Sequence, residues 1–565
     1  MYTDIAKKYA EQVVSGEVLA CKYVKDACQR QLDDLEKKDF GYRWNPTLTD
    51  MFGNAYQPAE RICKFIELLP HIKGNWETPT LKLEPWQIFI LTTVFGWIDK
   101  NDKRRYRTAY VEVPRKNGKS ILTSGIGLYL LSADSEPGAE IFSAATTRDQ
   151  ARLVWEVAHK MTQRSEGLRE RFGVETSAHS IYVPATSSSF KALSRDQGGN
   201  LDGLNVHGGL IDELHAHKTR DVFDVIETGT GSRTQSLLWS ITTAGSNRAG
   251  ICYEQRGYTI KILDKVQQDD SYFGIVYTID EDDDWTDESS WVKANPNYGI
   301  SVSPDDLERK KRKAESMASA VNNFLTKHLN IWVNAGTAWM DMRLWDRQAD
   351  HDLKLSDFHS EECHVGVDLA TKTDIACLNV TFKRRIDGED HYYGFTLSYL
   401  NEEATEDGRN SQYSGWARSG HLITTDGNVT DHRRIEEDIR DIASNHNVVS
   451  IAYDDWQGQY LANNLSDDGL RMVNFKQNTG NMSEPMTEWE ALVLAGRYHH
   501  DGCPVMTWMV SNVVAHRNIS DHIYPRKEFP ENKIDGAVAQ IMALGRWLAE
   551  RSEVNPYADR GFIEL

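Results

Sequence analysis

The sequence predicts an α/β protein with two successive sheet domains behind a helical N-terminal segment. Three observations carry this. Between about residues 76 and 335, short apolar strands alternate with helical stretches, as around a parallel sheet. From 363 to 550 the alternation resumes, with neighbouring runs at 374–382 and 392–400 that suit an antiparallel meander. Residues 1–75 show apolar residues at helical spacing, as in EVLACKYVKDACQRQLDDLEKK. The stretch 336–362 reads as a linker and 551–565 as a loose tail.

Composition narrows the class. The 565 residues allow ample core for two or three domains, and 40% apolar content is that of a globular chain. No apolar run reaches the roughly 18 residues of a membrane span. The start, MYTDIAKKYAEQVV, lacks the apolar centre of a signal peptide. Seven scattered cysteines, without a C-x-x-C pair, suggest free thiols in a reducing compartment. A formal net charge of −20 argues against a chain coated in nucleic acid, yet leaves room for a local basic patch. EDDDWTDESS (281–290) reads as a solvated loop. RKKRK (309–313) reads as the solvated face of a helix, with a DNA or partner contact as the alternative.

The first sheet domain carries VEVPRKNGKS (111–120). Gly118, Lys119 and Ser120 fit the end of a phosphate-binding loop, but Val113 stands where the first Gly of G-x-x-x-x-G-K-[ST] belongs. RTAYVEV before it is a buried-strand pattern and ILTSGIGLYLL after it a helical one. Arg115, Lys116, Asn117 and Gly118 thus form a strand-to-helix turn whose N–H groups can hold phosphate. Lys119 would reach the β/γ-phosphates of ATP, and Ser120 would hold Mg²⁺. VHGGLI then runs into Asp212 and Glu213: Asp212 suits Mg²⁺, directly or through water, and Glu213 suits orientation of an attacking water. LLWSITTAG ends at Thr242 and Thr243, whose hydroxyls can sense a γ-phosphate. Gln87, in LEPWQIFIL, can donate to and accept from an adenine edge; the competing reading is an ordinary polar residue before a helix.

The second sheet domain presents a different chemistry. HVGVDLA ends its apolar run at Asp368, VVSIAYDDW ends at Asp454 and Asp455, and KIDGAVAQIMALGRWL opens a helix with Asp535 in its first turn. This order resembles the RNase H-like nuclease fold, in which such carboxylates converge on two divalent ions about 3.5–4 Å apart. Acidic oxygen ligands suit Mg²⁺ or Mn²⁺. Of the adjacent pair, Asp454 is preferred by its place directly after the apolar run. Any one aspartate at a strand end is more often structural; three in this order are far more specific. His215, His217, His499 and His500 form no ligand set and read as turn or surface residues.

Taken together, the N-terminal AKKYAEQVVSGEVLACKYVKDACQRQLDDL, LEPWQ, PRKNGKS, LDGLNVHGGLIDELH, TTAG, VGVDLATKTDIA, IAYDDW, VMTWMVSNVVAH and KIDGAVAQIMAL resemble the large terminase subunit of tailed bacteriophages, over nearly the whole chain. That family often lacks the first Gly of the loop and carries an Arg inside it, which accounts for Val113 and Arg115. The resemblance implies an ATP-driven motor packing double-stranded DNA into a procapsid, fused to a nuclease that cuts the concatemer. It implies ATP and Mg²⁺ (or Mn²⁺ at the nuclease site). It also implies a small terminase subunit, a portal, a homo-oligomeric ring and a place in the bacterial cytoplasm outside the mature virion. Arg115 can then contact the γ-phosphate, and a neighbouring subunit can supply a second arginine, with Arg195 and Arg233 as candidates and surface arginines as the competing reading. Asn478, in NFKQNTGNMSEP, departs from the expected Gly after Gln. Two alternatives stand beside this one: a helicase-like ATPase-nuclease of repair or defence, and a non-enzymatic assembly protein with a vestigial nucleotide fold.

Overall fold

The computed structural model describes residues 1–553 except 39, 75–77, 145–147, 194–202, 218, 337–338, 371–373, 407–409, 411 and 519–520. The chain divides into two compact units. The first comprises Met1–Ser316 and Asn323–Val333; the second comprises Met317–Asn322 and the chain from Asn334 onward.

The first unit is built on an eight-stranded sheet. Its order is Tyr272–Val276, Thr108–Glu112, Leu237–Thr242, Val206–Asp212, Glu140–Ala144, Ser188–Leu193, Ile181–Val183 and Glu175–Thr176. The six strands from Tyr272–Val276 to Ser188–Leu193 are parallel, and the last two add antiparallel. Every residue of Val206–Asp212 is buried, as expected for a strand covered by helices on both faces. This topology gathers the strands that carry the candidate nucleotide-site residues. The strand Leu237–Thr242 lies between Thr108–Glu112 and Val206–Asp212, so the three C-terminal ends meet on one edge.

The helical N-terminal segment is not a separate piece, because its apolar stripe has no partner of its own. The helix Tyr2–Ser15 buries Ala6, Tyr9, Ala10 and Val13 in the core of the first unit, with the rings of Tyr9 and Phe89 5.7 Å apart. The acidic run 281–290 is a loop only in part, since a helix spans Glu288–Ala294 and buries Trp291. The basic run lies on the helix Pro304–Ser316. There Arg309 and Lys310 pair with Asp306, Lys311 with Glu315 and Arg312 with Glu308. Pairs at this spacing neutralise the face along its own helix, which favours the solvated-face reading over a DNA contact.

Beneath the sheet's opposite edge, Arg104 donates two hydrogen bonds to Asp134 (3.0 and 3.2 Å), and His207 stands 2.9 Å from the same carboxylate. All three are buried. Burial pushes the Asp134 carboxyl up, but Arg104 and His207 outweigh it and hold it below the usual range. Asp134→Ala should therefore strand a buried guanidinium. The expected loss is about 3–5 kcal/mol, read as a lower denaturation midpoint at neutral pH.

The second unit carries a mixed sheet ordered Ile423–Thr425, Glu389–Asn401, Ala376–Ile386, Glu362–Asp368, Asn447–Tyr453 and Met472–Asn474, with Tyr498–His500 also paired to Glu389–Asn401. The meander is antiparallel, and Glu362–Asp368 runs parallel to Asn447–Tyr453. The long helix Asp535–Glu553 crosses this sheet. Gly366 permits the close approach: a Cβ there would lie 2.0 Å from the carbonyl of Ala539. The stretch predicted as a linker, 336–362, contributes core instead. Trp339, Met340 and Trp345 are buried, and Trp345 stacks on His500 with ring centroids 3.9 Å apart. Burying three such large apolar side chains outweighs the cost of ordering the segment. All seven cysteines are buried free thiols. Among the described residues no helix is long and apolar enough to cross a membrane.

Candidate functional site

The phosphate loop follows Thr108–Glu112 and opens the helix Lys119–Ser132. Two residues with positive φ shape the turn, Lys116 at 72° and Gly118 at 79°. Only Gly adopts such a conformation without steric cost, which is why the G of G-K-S is required even where the first Gly is replaced. Val113, in that first position, is buried and hydrogen-bonded through its N–H to Thr242 O at 2.9 Å. The loop is thereby fixed to the neighbouring strand end.

The predicted loop residues take different roles. Arg115 and Lys116 expose their side chains. Asn117 is fully buried; its amide donates to Pro114 O (3.2 Å) and Asn295 Oδ1 (3.0 Å) and accepts from Asn297 N (3.0 Å). Its side chain therefore braces the loop and is not offered to phosphate. Gln87 is likewise partly committed: as the third residue of the helix Pro85–Gly96, its Oε1 accepts from Glu84 N at 3.0 Å. Its amide nitrogen lies beside Gly118, so the donor half of the predicted adenine contact is the half left available.

Lys119, Ser120, Asp212 and Glu213 come together. Lys119 Nζ is buried, donates to the carbonyls of Val113 and Pro114 (both 3.2 Å), and stands 4.0 Å from Glu213 Oε1. Burial pushes its ammonium pKa down, opposed by Glu213 and Asp212. Ser120 Oγ donates to Asp212 Oδ2 at 2.8 Å. These two oxygens are hard donors held together by a shared bond, and they can take a Mg²⁺ between them. Burial and then the Glu213 charge raise the Asp212 carboxyl, a field that a divalent cation would relieve.

Glu213 sits in the left-handed region at φ 53°, an unusual conformation for a non-glycine residue at the end of a buried strand. Its Oε2 faces His215 Nδ1 at 3.2 Å and the Thr243 hydroxyl at 3.4 Å. Burial raises its carboxyl, but His215, Lys119 and Lys327 together outweigh that and hold it ionised well below its ordinary value. An ionised carboxylate at this position can orient a water and take its proton. Thr242 accepts from His215 N at 3.0 Å, so the sensing strand and the Glu213 turn are hydrogen-bonded to each other.

His215 was read from sequence as a turn or surface residue, but only 12% of its side chain is exposed, and it bridges Glu213 and Lys327. His217 and His500 are also buried. The sequence lacked any signal for this, because Lys327 lies 112 positions away.

The two arginine candidates fare differently. Arg195 lies outside the described residues. Arg233 donates to Asn205 Oδ1, Glu136 Oε1, Pro137 O and Gly138 O, and it precedes the N-terminal end of Leu237–Thr242. In a parallel sheet that is the edge opposite the phosphate loop. Within this chain Arg233 is a clamp between loops, and the four bonds it makes there would have to open before it could act on a neighbouring subunit.

In the second unit, Asp368 ends Glu362–Asp368, Asp454 stands between Tyr453 and the helix Asp455–Asp467, and Asp535 opens Asp535–Glu553. Val367 and Tyr453 are in register, which sets Asp368 and Asp454 at adjacent strand ends. Burial, then the charges of Asp535 and Asp454, push Asp368 well above the usual carboxylate range. Asp535 is raised by burial and then by Asp374. Asp535 Oδ2 is buried without a hydrogen-bond partner. A divalent cation fits such a field of crowded carboxylates. The expected cage of three is nonetheless not preassembled: among the described residues, no three His, Cys, Asp or Glu side chains stand at metal-holding distances. Asp455 is exposed and accepts from Asn474, whereas Asp454 is among the charges, after that of Asp535, that raise Asp368.

Sequence reasoning missed two neighbours here. Gln477 Nε2 donates to Asp368 Oδ1 at 2.8 Å. Asp374, whose charge bears most on Asp535, is held by Lys533 and lies 3.6 Å from Lys527. The spacing D-x₅-D from Asp368 to Asp374 was the available signal. Asn478, the departure from Gly, is the N-cap of Thr479–Leu494, its Oδ1 accepting from Asn481 N at 3.0 Å. Asn is among the preferred residues at that position.

A phosphate loop with an acidic strand end on a parallel sheet, followed by an RNase H-like sheet with clustered aspartates, defines a two-part ATPase-nuclease. The family model described as "Terminase large subunit, ATPase domain" matches residues 85–261, and "Terminase large subunit, endonuclease domain" matches 266–551. The chain belongs to the terminase large subunits. It is 40% identical over 371 residues to Protein YmfN of Escherichia coli (strain K12), covering 64% of this chain and 82% of that protein. It is 28% identical over 506 residues to the "Terminase, large subunit" of Enterobacteria phage HK97, covering 88% and 96%. The crystal structure of the HK97 bacteriophage large terminase aligns over 86% of this chain and 99% of that one, at 26% identity and a TM-score of 0.43. The two family matches meet near residue 265, but the structure divides later. The strand Tyr272–Val276, inside the endonuclease match, is an edge of the ATPase sheet.

Proposed function

We propose that this chain hydrolyses ATP to drive double-stranded viral DNA into a procapsid and cuts concatemeric DNA with a Mg²⁺- or Mn²⁺-dependent nuclease. In this reading Lys119 binds the β/γ-phosphates, Ser120 and Asp212 hold Mg²⁺, and Glu213 orients the attacking water, with Arg115 free to reach the γ-phosphate. Asp368, Asp454 and Asp535 hold the nuclease ions, which activate water and stabilise the leaving oxygen. Work is done in the bacterial cytoplasm, as a homo-oligomeric ring on the portal, with a small terminase subunit and outside the mature virion.

The observation that most supports the motor reading is the placement of the Glu213 carboxylate, 4.0 Å from Lys119 and hydrogen-bonded by Thr243 at the end of the neighbouring strand. The test is packaging of linear duplex into purified procapsids. ATP should make the DNA resistant to added nuclease, and Glu213→Gln should abolish that protection. ATP-driven strand separation with no protected DNA would instead favour the helicase-like alternative.

A further inference from the structure

One charged side chain at the ATP site belongs to neither the phosphate loop nor the acidic strand end. Lys327 lies in the last turn of the helix Ala318–His328, beyond the 85–261 match to the ATPase domain. Its Nζ stands 2.9 Å from His215 Nε2, and its carbonyl accepts from Arg115 N, inside the phosphate loop, at 2.9 Å. Lysine ammonium has only donors, so His215 Nε2 must accept. The ring proton is thereby placed on Nδ1, which faces Glu213 Oε2 at 3.2 Å. The Thr242 hydroxyl at 3.1 Å and the Thr243 hydroxyl at 3.3 Å flank the same nitrogen and fix the ring plane.

From this geometry we infer that Lys327 and His215 are positioning residues for ATP hydrolysis: Lys327 fixes the His215 tautomer so that Nδ1–H holds the Glu213 carboxylate in place. This rests on the reading of Glu213 as the water-orienting residue. The neighbouring segment is fastened in the same way. Ala244 N donates to Asn330 Oδ1 (2.6 Å), Val333 N to Gly245 O (3.2 Å) and Trp332 Nε1 to the buried Glu112 (3.1 Å). Residues 327–333 thus contact the phosphate loop, the end of its strand and the sensing strand. A residue inside the family's endonuclease match would govern the ATPase step.

The test is steady-state ATPase activity of the full chain. Lys327→Met should lower kcat about 10–100-fold, the usual cost of losing a partner that orients an active-site group, with KM for ATP nearly unchanged. His215→Ala should do the same, and the double variant should lose no more than the worse single one, because both act through one hydrogen-bond chain. Lys327→Gln keeps a donor and should recover part of kcat. If Lys327→Met also lowers the melting temperature, that recovery decides, and its failure overturns the inference. Unchanged kcat in Lys327→Met, or independent losses in the double variant, overturns it as well. Glu213→Gln run in parallel separates the two levels: full turnover there sinks the underlying site reading, while lost turnover with an unaffected Lys327→Met sinks the relay alone.

Discussion

Glu213→Gln should reduce ATP turnover by about 10²–10⁴-fold, the contribution typical of a general base, while ATP binding survives. The amide keeps the shape and the contact with His215 but cannot take a proton. Asp212 should then titrate closer to its ordinary range, because the Glu213 charge that raises it is gone. Lys119→Ala should fail differently. Its ammonium is buried and held on two loop carbonyls, 3.2 Å away, and neutral acceptors of this kind compete poorly with a polyphosphate for a charge. Removing it should cost both nucleotide affinity and hydrolysis. Binding of a fluorescent nucleotide, measured beside phosphate release, distinguishes the two variants. Normal turnover by Glu213→Gln would refute the assignment of the acidic strand end.

Asp368→Asn should abolish plasmid cleavage and leave ATPase activity intact, because the two sites sit in different compact units. Asp368 is raised by burial and by the like charges of Asp535 and Asp454, so its substitution removes that repulsion together with the proposed ligand. The pH dependence follows with a definite sign. A carboxyl whose folded pKa lies above its unfolded value binds more protons when folded. Its contribution is complete below the unfolded pKa and is lost as pH rises through the folded one. Without divalent metal, the full chain should therefore lose stability as pH rises from the ordinary carboxylate range toward neutrality. Mg²⁺ or Mn²⁺ should restore it by binding the native state, and Asp368→Asn should flatten both responses. Cleavage undiminished in Asp368→Asn would place the metal site elsewhere; loss of ATPase activity as well would show that the two activities are not separable.

Much of this was legible from local pattern. Strand–turn–helix around G-K-S, an apolar strand ending in Asp212-Glu213, and apolar runs ending at Asp368 and Asp454 all depend on residues close in sequence. Helical and strand periodicities and turn chemistry operate at that range. The linker and the histidines were misread for the opposite reason. Trp345 becomes core only when Tyr498–His500 is folded beside it, and His215 becomes functional only when Lys327 arrives. Asn117 and Gln87 had the right residue type for ligand contact, but their amides are partly or wholly used in bracing the backbone.

The sequence by itself determined the two sheet domains, the position of the phosphate loop and the identities of the acidic residues, because each is written in a short stretch with its own periodicity. Tertiary structure alone decided which of those residues share a field. It took Arg233 to the far edge of a parallel sheet, set Asp374 beside Asp535, and carried Lys327 back to the phosphate loop. The physical reason is range: an aspartate's pKa or a histidine's tautomer is set by whatever charge or donor lies within a few ångströms, and the chain brings those groups there from a hundred residues away.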